Sequence, residues 1–589
     1  MPQQKEFKVR REHNVMVPMR DGTGLAADVF RPDAPGRFPV LVTRGPYGKD
    51  GYVTNPEHSV WFFPKHGYVV VIQDCRGRFE SEGVFYEPLF QEADDGYDTV
   101  EWAARQPWSN GRVGTTGQSY LGATQYTLAT CNPLPPHLQA MAPVSASSDF
   151  HQSWVYHTGG AMEWGWMVPY AIHKGRNTLE RQGRTDLLAR MDEYVLPPGN
   201  FAQPLTDQWY RHLPLQDWVD WLKECAPYFG QYLENESDGP YWWRINLLRH
   251  LEGIEGVRVP MFHVSSWYDI FLEGALNAYQ AIRAKGGSDQ AKRSQKLLVG
   301  PWAHIRPYTS PTSRDTGDID FGPEARIELH QSLLRWFDYW LKDRETGIMD
   351  EPPVSIFVMG ENRWRQEHEW PLARTHYTRY YCHSQGRANS RHGDGSLSTV
   401  PPDAEPVDTY IYNPNDPAPT RGGNTLIIPH GVADQRPTED RPDVLVYTSD
   451  PLERDLEITG PIQVYLYAAS SARDTDFTAK LVDVRPDGYA QNLQDGIVRA
   501  RYRSSATQPS FIRPGQVYEY TIDLWSTSHV LFAGHRLRVE ISSSNFPRFD
   551  RNPNTGAPLG QDARLELAHQ TIHHSATYPS HIVLPVIPR

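Results

Sequence analysis

The chain has 589 residues, a net charge of −13, and hydrophobic and charged fractions of 39% and 22%. That length exceeds one core and predicts about three or four domains. The acidic balance, with no Lys/Arg cluster, excludes a nucleic-acid partner, because neutralising phosphates needs a basic surface.

The start, MPQQKEFKVRREHN, has no apolar h-region, and no run of about 18 apolar residues follows. A cytoplasmic chain without secretory signal or membrane partner is the expectation. Cys75, Cys131, Cys225 and Cys382 are widely scattered, which speaks against a disulfide framework, a metal knuckle or a redox pair.

Up to residue 146 the pattern alternates strand and helix. FPVLVTR (Phe38–Arg44), GYVVVIQD (Gly67–Asp74), RVGTTG and LQAMAPVSA (Leu138–Ala146) are compact apolar runs. DDGYDTVEWAARQ, between the second and third, has apolar residues at helical spacing. Continuous apolar strands separated by helices predict a parallel sheet covered on both faces.

From 147 to 255 that rhythm stops. Leu187, Leu188, Met191 and Val195 share one helical face, as do Leu215, Trp218, Leu222 and Cys225. This segment reads as a helical cap inserted into the sheet domain. The sheet pattern returns in VPMFHVSS (Val259–Ser266) and KLLVGP (Lys296–Pro301), so residues 1–146 and 256–355 read as one α/β domain. In ELHQSLLRWFDYWLKD, Leu329, Leu333, Leu334, Phe337 and Leu341 form a stripe, with Gly347 as the expected stop. From 356 to 589 the texture becomes period-two, as in GPIQVYLYAAS and HRLRVEISSSN, and predicts a β-sandwich or jelly roll.

One stretch carries chemistry. In GTTGQSYLG, a strand meets Gly117-Gln118-Ser119-Tyr120-Leu121-Gly122 and a helix-forming run follows. A sharp strand-to-helix turn exposes a serine hydroxyl and tolerates only small neighbours. By itself Ser119 is either a nucleophile or a turn serine, since the usual elbow has glycine where Leu121 stands. Asp269 follows the strand at 259–266 and His304 follows the strand at 296–301, giving the order Ser, Asp, His after successive strands that α/β-hydrolases use. Acyl transfer also needs oxyanion donors. The backbone N–H of Tyr120 is one candidate. The loop RGPYGKD lacks a glycine run but offers the phenol of Tyr47, which as a packed loop aromatic would do nothing chemical.

These residues match a family. VMVPMRDGTGLAADVFRP, TRGPYGK, QDCRGRFESEG, GTTGQSYLG, SWYDIF, VGPWAH and, later, DLEITGPIQVYLYAAS and GHRLRVEISSSNFPRF together resemble the cocaine esterase-type (CocE/NonD) hydrolases, relatives of X-prolyl dipeptidyl peptidases and α-amino-acid ester hydrolases. The resemblance implies an α/β-hydrolase core, a helical cap and a C-terminal jelly roll. It makes Ser119 the nucleophile, His304 the base, Asp269 its orienter, and Tyr47 with the Tyr120 amide the oxyanion donors. The acids that follow the catalytic Asp in ester hydrolases specific for α-amino acids are replaced here by Phe271 and Leu272, which implies an apolar or aromatic acyl group. Trp154, Trp166 and Phe271 are the candidate pocket residues, although the two tryptophans serve equally well as cap core. Glu163 and Glu273 remain possible acids for a substrate amine. Asp74, Arg76 and Arg78 read as structural.

The expected activity is hydrolysis of a small-molecule ester or amide through an acyl-enzyme, without cofactor or metal. A homodimer is expected from the family only. Two alternatives stand beside it: an X-prolyl dipeptidyl aminopeptidase or α-amino-acid ester/β-lactam acylase, and a carbohydrate-binding jelly-roll protein without catalysis.

Overall fold

The computed structural model describes residues 6–54, 59–85, 87–197, 202–249, 251–304 and 317–589. Strands β1 (Val9–Pro18), β2 (Gly24–Pro32), β3 (Phe38–Gly45), β4 (Val69–Asp74), β5 (Ser109–Gln118), β6 (Leu138–Val144), β7 (Met261–Tyr268), β8 (Gln295–Ala303), β9 (Val354–Val358) and β10 (Arg363–Glu367) form one sheet. Their order is β1-β2-β4-β3-β5-β6-β7-β8-β9-β10. From β3 to β9 the strands run parallel. Antiparallel β1 and β2 flank one edge and β10 the other.

The two-residue period of each strand divides its side chains between two cores. Val69 and Val71 join one, with Val100 and Ala103 of the helix Glu92–Ala104. Val70 and Ile72 join the other, with Leu333, Phe337 and Leu341 of the helix Leu329–Lys342. Because both faces are covered, no residue of β4, β7 or β8 is exposed. The helix Leu329–Lys342 ends at Asp343 in the left-handed region (φ 51°), short of the expected stop at Gly347. The sheet also runs past residue 355, through β9 and β10.

Between β6 and β7 the chain is helical. Trp218 and Leu222 are buried on the helix Gln216–Leu222, as their spacing predicts. The longest helix here, Trp164–Gln182, is buried on nearly every side of its first half.

The C-terminal part is a jelly-roll-like assembly of eleven strands. Leu456–Ser470 pairs antiparallel with Tyr518–Leu531 along most of its length. From Pro461 it alternates half-buried and buried residues. Asp476–Val484 and Ala490–Arg499 are instead buried throughout. The second of these reaches the other parts of the chain: Asn492 O accepts from the Tyr268 hydroxyl, and the Arg499 amide donates to Gly159 O.

Candidate active site

The serine turn is built by close approach. Ser119 sits between β5 and the helix Tyr120–Leu128 with φ 61° and ψ −125°, a conformation a non-glycine residue rarely adopts. A Cβ on Gly117 (φ 155°) would lie 2.5 Å from Leu121 Cβ, and one on Gly122 would lie 2.7 Å from Ala146 Cβ and 2.9 Å from Val144 O. The second glycine is therefore displaced because the helix crosses the end of β6 at residue 122.

His304 follows β8 and Asp269 follows β7, at the same sheet rim as Ser119. His304 Nε2 is 2.9 Å from Ser119 Oγ, and its Nδ1 is 3.0 Å from Asp269 Oδ1. A carboxylate only accepts, so Nδ1 carries the proton and Nε2 is left to accept from the serine. Asp269 Oδ1 also accepts from the Phe271 amide at 2.8 Å. Two residues that sequence reasoning missed hold this geometry. The Gln118 side chain donates to His304 O (2.8 Å), and Asn424 donates to Trp267 O (2.8 Å) and Asp269 O (3.1 Å). Gln118 adjoins the serine and was findable from the elbow itself. Asn424 comes from the C-terminal part and has no local signature.

The Tyr47 phenol faces the Ser119 side chain and the Tyr120 backbone amide, and burial raises its pKa, keeping it protonated and able to donate. The Tyr120 ring is fixed from behind: its hydroxyl donates to Glu92 (3.1 Å) and accepts from the Leu89 amide (2.8 Å). The helix Trp164–Gln182 adds two groups that the sequence reading did not name. The Tyr170 hydroxyl lies 3.2 Å from that of Tyr47, and Lys174 Nζ lies 3.4 Å from the centre of the Tyr47 ring. Trp166, Tyr170 and Lys174 are spaced by four, one face of one helix, which was the available signal.

The three predicted pocket aromatics come together beside the imidazole. Trp154 stacks on Phe271 (4.3 Å, 8°), Trp166 meets both edge-on, and Phe271 meets His304 edge-on at 4.9 Å. The candidate acids do not join them. Glu163 lies 3.1 Å from His157 Nδ1 and 3.5 Å from the Arg548 guanidinium. Glu273 is half-buried, and loss of solvation with Asp523 nearby pushes its carboxyl up to about 8.

A second Ser, His, Asp grouping lies in the C-terminal part. Ser384 Oγ donates to Asp408 at 2.8 Å, while His574 lies 2.9 Å from Asp408 and 3.0 Å from Glu405. His574 Nε2 is only 3.5 Å from Ser384 Oγ. Both imidazole nitrogens face carboxylates, and the His574 pKa is raised, with burial opposing and Asp408 and Glu405 outweighing it. The serine hydroxyl donates straight to the carboxylate and neither ring nitrogen is turned to it as an acceptor, so the order hydroxyl, imidazole, carboxylate is absent here. Among the described residues one His/Asp group converges as metal ligands would, namely His13, Asp28 and Asp50. The Arg11 guanidinium already pairs with both acids there.

Fold and site together define a serine hydrolase of the α/β-hydrolase class. Residues 21–306 match the X-Pro dipeptidyl-peptidase (S15 family) model, and 346–583 match the X-Pro dipeptidyl-peptidase C-terminal non-catalytic domain. The chain is 39% identical to the cocaine esterase of Rhodococcus sp. (strain MB1 Bresler), over 98% of each chain. Among solved structures it resembles an aminopeptidase from a marine-sediment Thaumarchaeota archaeon, with TM-score 0.83, 26% identity, and 100% and 98% coverage. It also resembles an α-amino acid ester hydrolase, with TM-score 0.80, 26% identity, and 98% and 96% coverage. The chain belongs to the CocE/NonD family of serine hydrolases. Among the described residues no helix is long and apolar enough to cross a membrane.

Proposed function

We propose that the protein hydrolyses carboxylic esters with an apolar or aromatic acyl group, through an acyl-enzyme on Ser119. The hydrogen-bonded line from Ser119 Oγ to His304 Nε2, and from His304 Nδ1 to Asp269, carries this reading. His304 takes the serine proton as Oγ attacks the ester carbonyl. The negative charge that develops on the carbonyl oxygen is met by the Tyr47 O–H and the Tyr120 N–H. His304 then returns the proton to the departing alcohol, and water repeats the sequence to release the acid. The aromatic wall of Trp154, Trp166 and Phe271 favours an apolar acyl group, and a bare ammonium against it would lose hydration without a partner.

That wall sets the ester reading ahead of an aminopeptidase or amino-ester reading, since Glu163 is already paired and loss of solvation beside Asp523 disfavours a charged Glu273. A panel of benzoate and phenylacetate esters beside their free α-amino counterparts tests the choice. Higher kcat/KM for the esters without an amine is expected, and a strict requirement for the free amine would reverse it. A burst of alcohol release with the amplitude of one active site would mark the acyl-enzyme.

A further inference from the structure

A cavity of about 230 Å³ lies on the flank of Tyr47, between the loop at Pro46 and the helix Trp164–Gln182, and Arg78, Ile172 and Lys174 help line it. Two of its walls are basic and buried: Arg78 and Lys174 are each 1% exposed. Among the described residues neither forms an ion pair with a carboxylate. The Arg78 guanidinium instead donates to carbonyls, to Pro46 O at 3.2 Å and Lys174 O at 2.8 Å. Burial, with Arg78 adding to it, moves the Lys174 pKa well below the usual lysine range. The lining also holds Glu180 and Arg176, the latter paired with Asp192; a buried guanidinium with no carboxylate partner is costly unless a ligand supplies the charge.

The cavity also touches the chemistry. Lys174 Nζ rests on the Tyr47 ring, and the hydroxyl of that ring faces Ser119. The acyl wall of Trp154, Trp166 and Phe271 lies against His304, so the flank of Tyr47 is left for the other half of an ester. We propose that this cavity is a carboxylate-binding subsite for the leaving group, and that the esters this protein cleaves carry an acid on their alcohol portion. This rests on the ester-hydrolase reading above. The carboxylate is held by Lys174, which takes up a proton as the anion enters, with Arg78 supplying permanent charge behind it. Hydrolysis then releases a hydroxy acid and the carboxylic acid of the acyl group, with one water consumed.

Two near-isosteric esters test it: the benzoate ester of glycolate and that of glycolamide, with neutral ethyl benzoate run alongside. The glycolate ester is expected to have a kcat/KM at least about tenfold above the glycolamide ester. In Lys174→Met the ratio of the glycolate rate to the glycolamide rate is expected to fall to about one, whatever the change on ethyl benzoate. Equal rates for glycolate and glycolamide esters in the unaltered protein overturn the subsite. So does a Lys174→Met variant that loses rate equally on all three, which would leave Lys174 as a prop for the Tyr47 ring. Lys174→Gln, which keeps a polar group, repeats the comparison should the methionine variant fold poorly. Failure to turn over ethyl benzoate and every other neutral ester would count against the hydrolase reading instead.

Discussion

Ser119 and Ser384 each have a histidine and an aspartate for neighbours, yet only one of these groupings is arranged to move a proton. At Ser119 the order is hydroxyl, imidazole, carboxylate, and the imidazole keeps one free acceptor. At Ser384 the hydroxyl donates straight to Asp408, and His574 is clasped between Asp408 and Glu405. The backbones differ as well. Ser119 sits at positive φ on a turn tightened by glycines, whereas the Ser384 hydroxyl accepts from the Gly386 amide in an ordinary local turn. Residue types alone do not make a nucleophile; the sequence of donors and acceptors does.

The sharpest way to break this comparison is to delete each serine. Ser119→Ala is expected to cut ester turnover by roughly 10⁴–10⁶-fold with unfolding unchanged, since members of such a unit act together. Ser384→Ala is expected to leave kcat and KM alone and to lower stability by about 1–3 kcal/mol, the cost of leaving Asp408 and the Gly386 amide short of a partner. Rates and thermal melts on both variants decide it. Fluorophosphonate labelling should modify Ser119 alone. Label on Ser384, or unimpaired turnover by Ser119→Ala, would reverse the assignment.

Tyr47→Phe refines the active grouping. Loss of one oxyanion donor costs about 10²–10³ in kcat, and KM should move much less. A loss confined to KM would make Tyr47 a substrate contact. A smaller effect is expected from Gly122→Ala. Its methyl group would meet Ala146 Cβ at 2.7 Å and Val144 O at 2.9 Å, with overpacking costs of about 1–3 kcal/mol. Denaturant melts would register this, and an unchanged midpoint would show that the helix can shift off β6.

The Ser119 grouping was legible in the sequence where the Ser384 one was not. Ser119, Asp269 and His304 each stand just beyond a buried apolar run, so strand ends gave their positions away. Ser384, Asp408 and His574 belong to an alternating β texture in which each looks like an ordinary surface polar residue. The same contrast governs the fold. Strands β3 to β8 were readable because both faces are buried, while the helix Trp164–Gln182 was hidden by Pro169 inside it and by burial on nearly every side of its first half. Tyr170 and Lys174 were lost with that helix. The stop of the helix at Leu329 was misplaced because Asp343 adopts the left-handed conformation that Gly347 was expected to supply.

Proton titration gives the inert grouping a signature of its own. The His574 pKa is raised above its ordinary 6.5, so its contribution to stability is complete below 6.5 and is lost as pH rises through the higher folded value. Asp408 is lowered from 3.8, with burial opposing and His574, Ser384, Tyr447 and the Ala388 amide prevailing; its contribution is complete above 3.8 and is lost as pH falls below that. Both are in place between 3.8 and 6.5, and the imidazolium share fades on the alkaline side. Thermal midpoints of the unaltered protein should therefore fall from pH 6 to pH 9 more steeply than those of His574→Gln, which has no proton to lose there. Parallel slopes in the two proteins would mean that Asp408 and Glu405 do not raise the proton affinity of His574 in the folded protein.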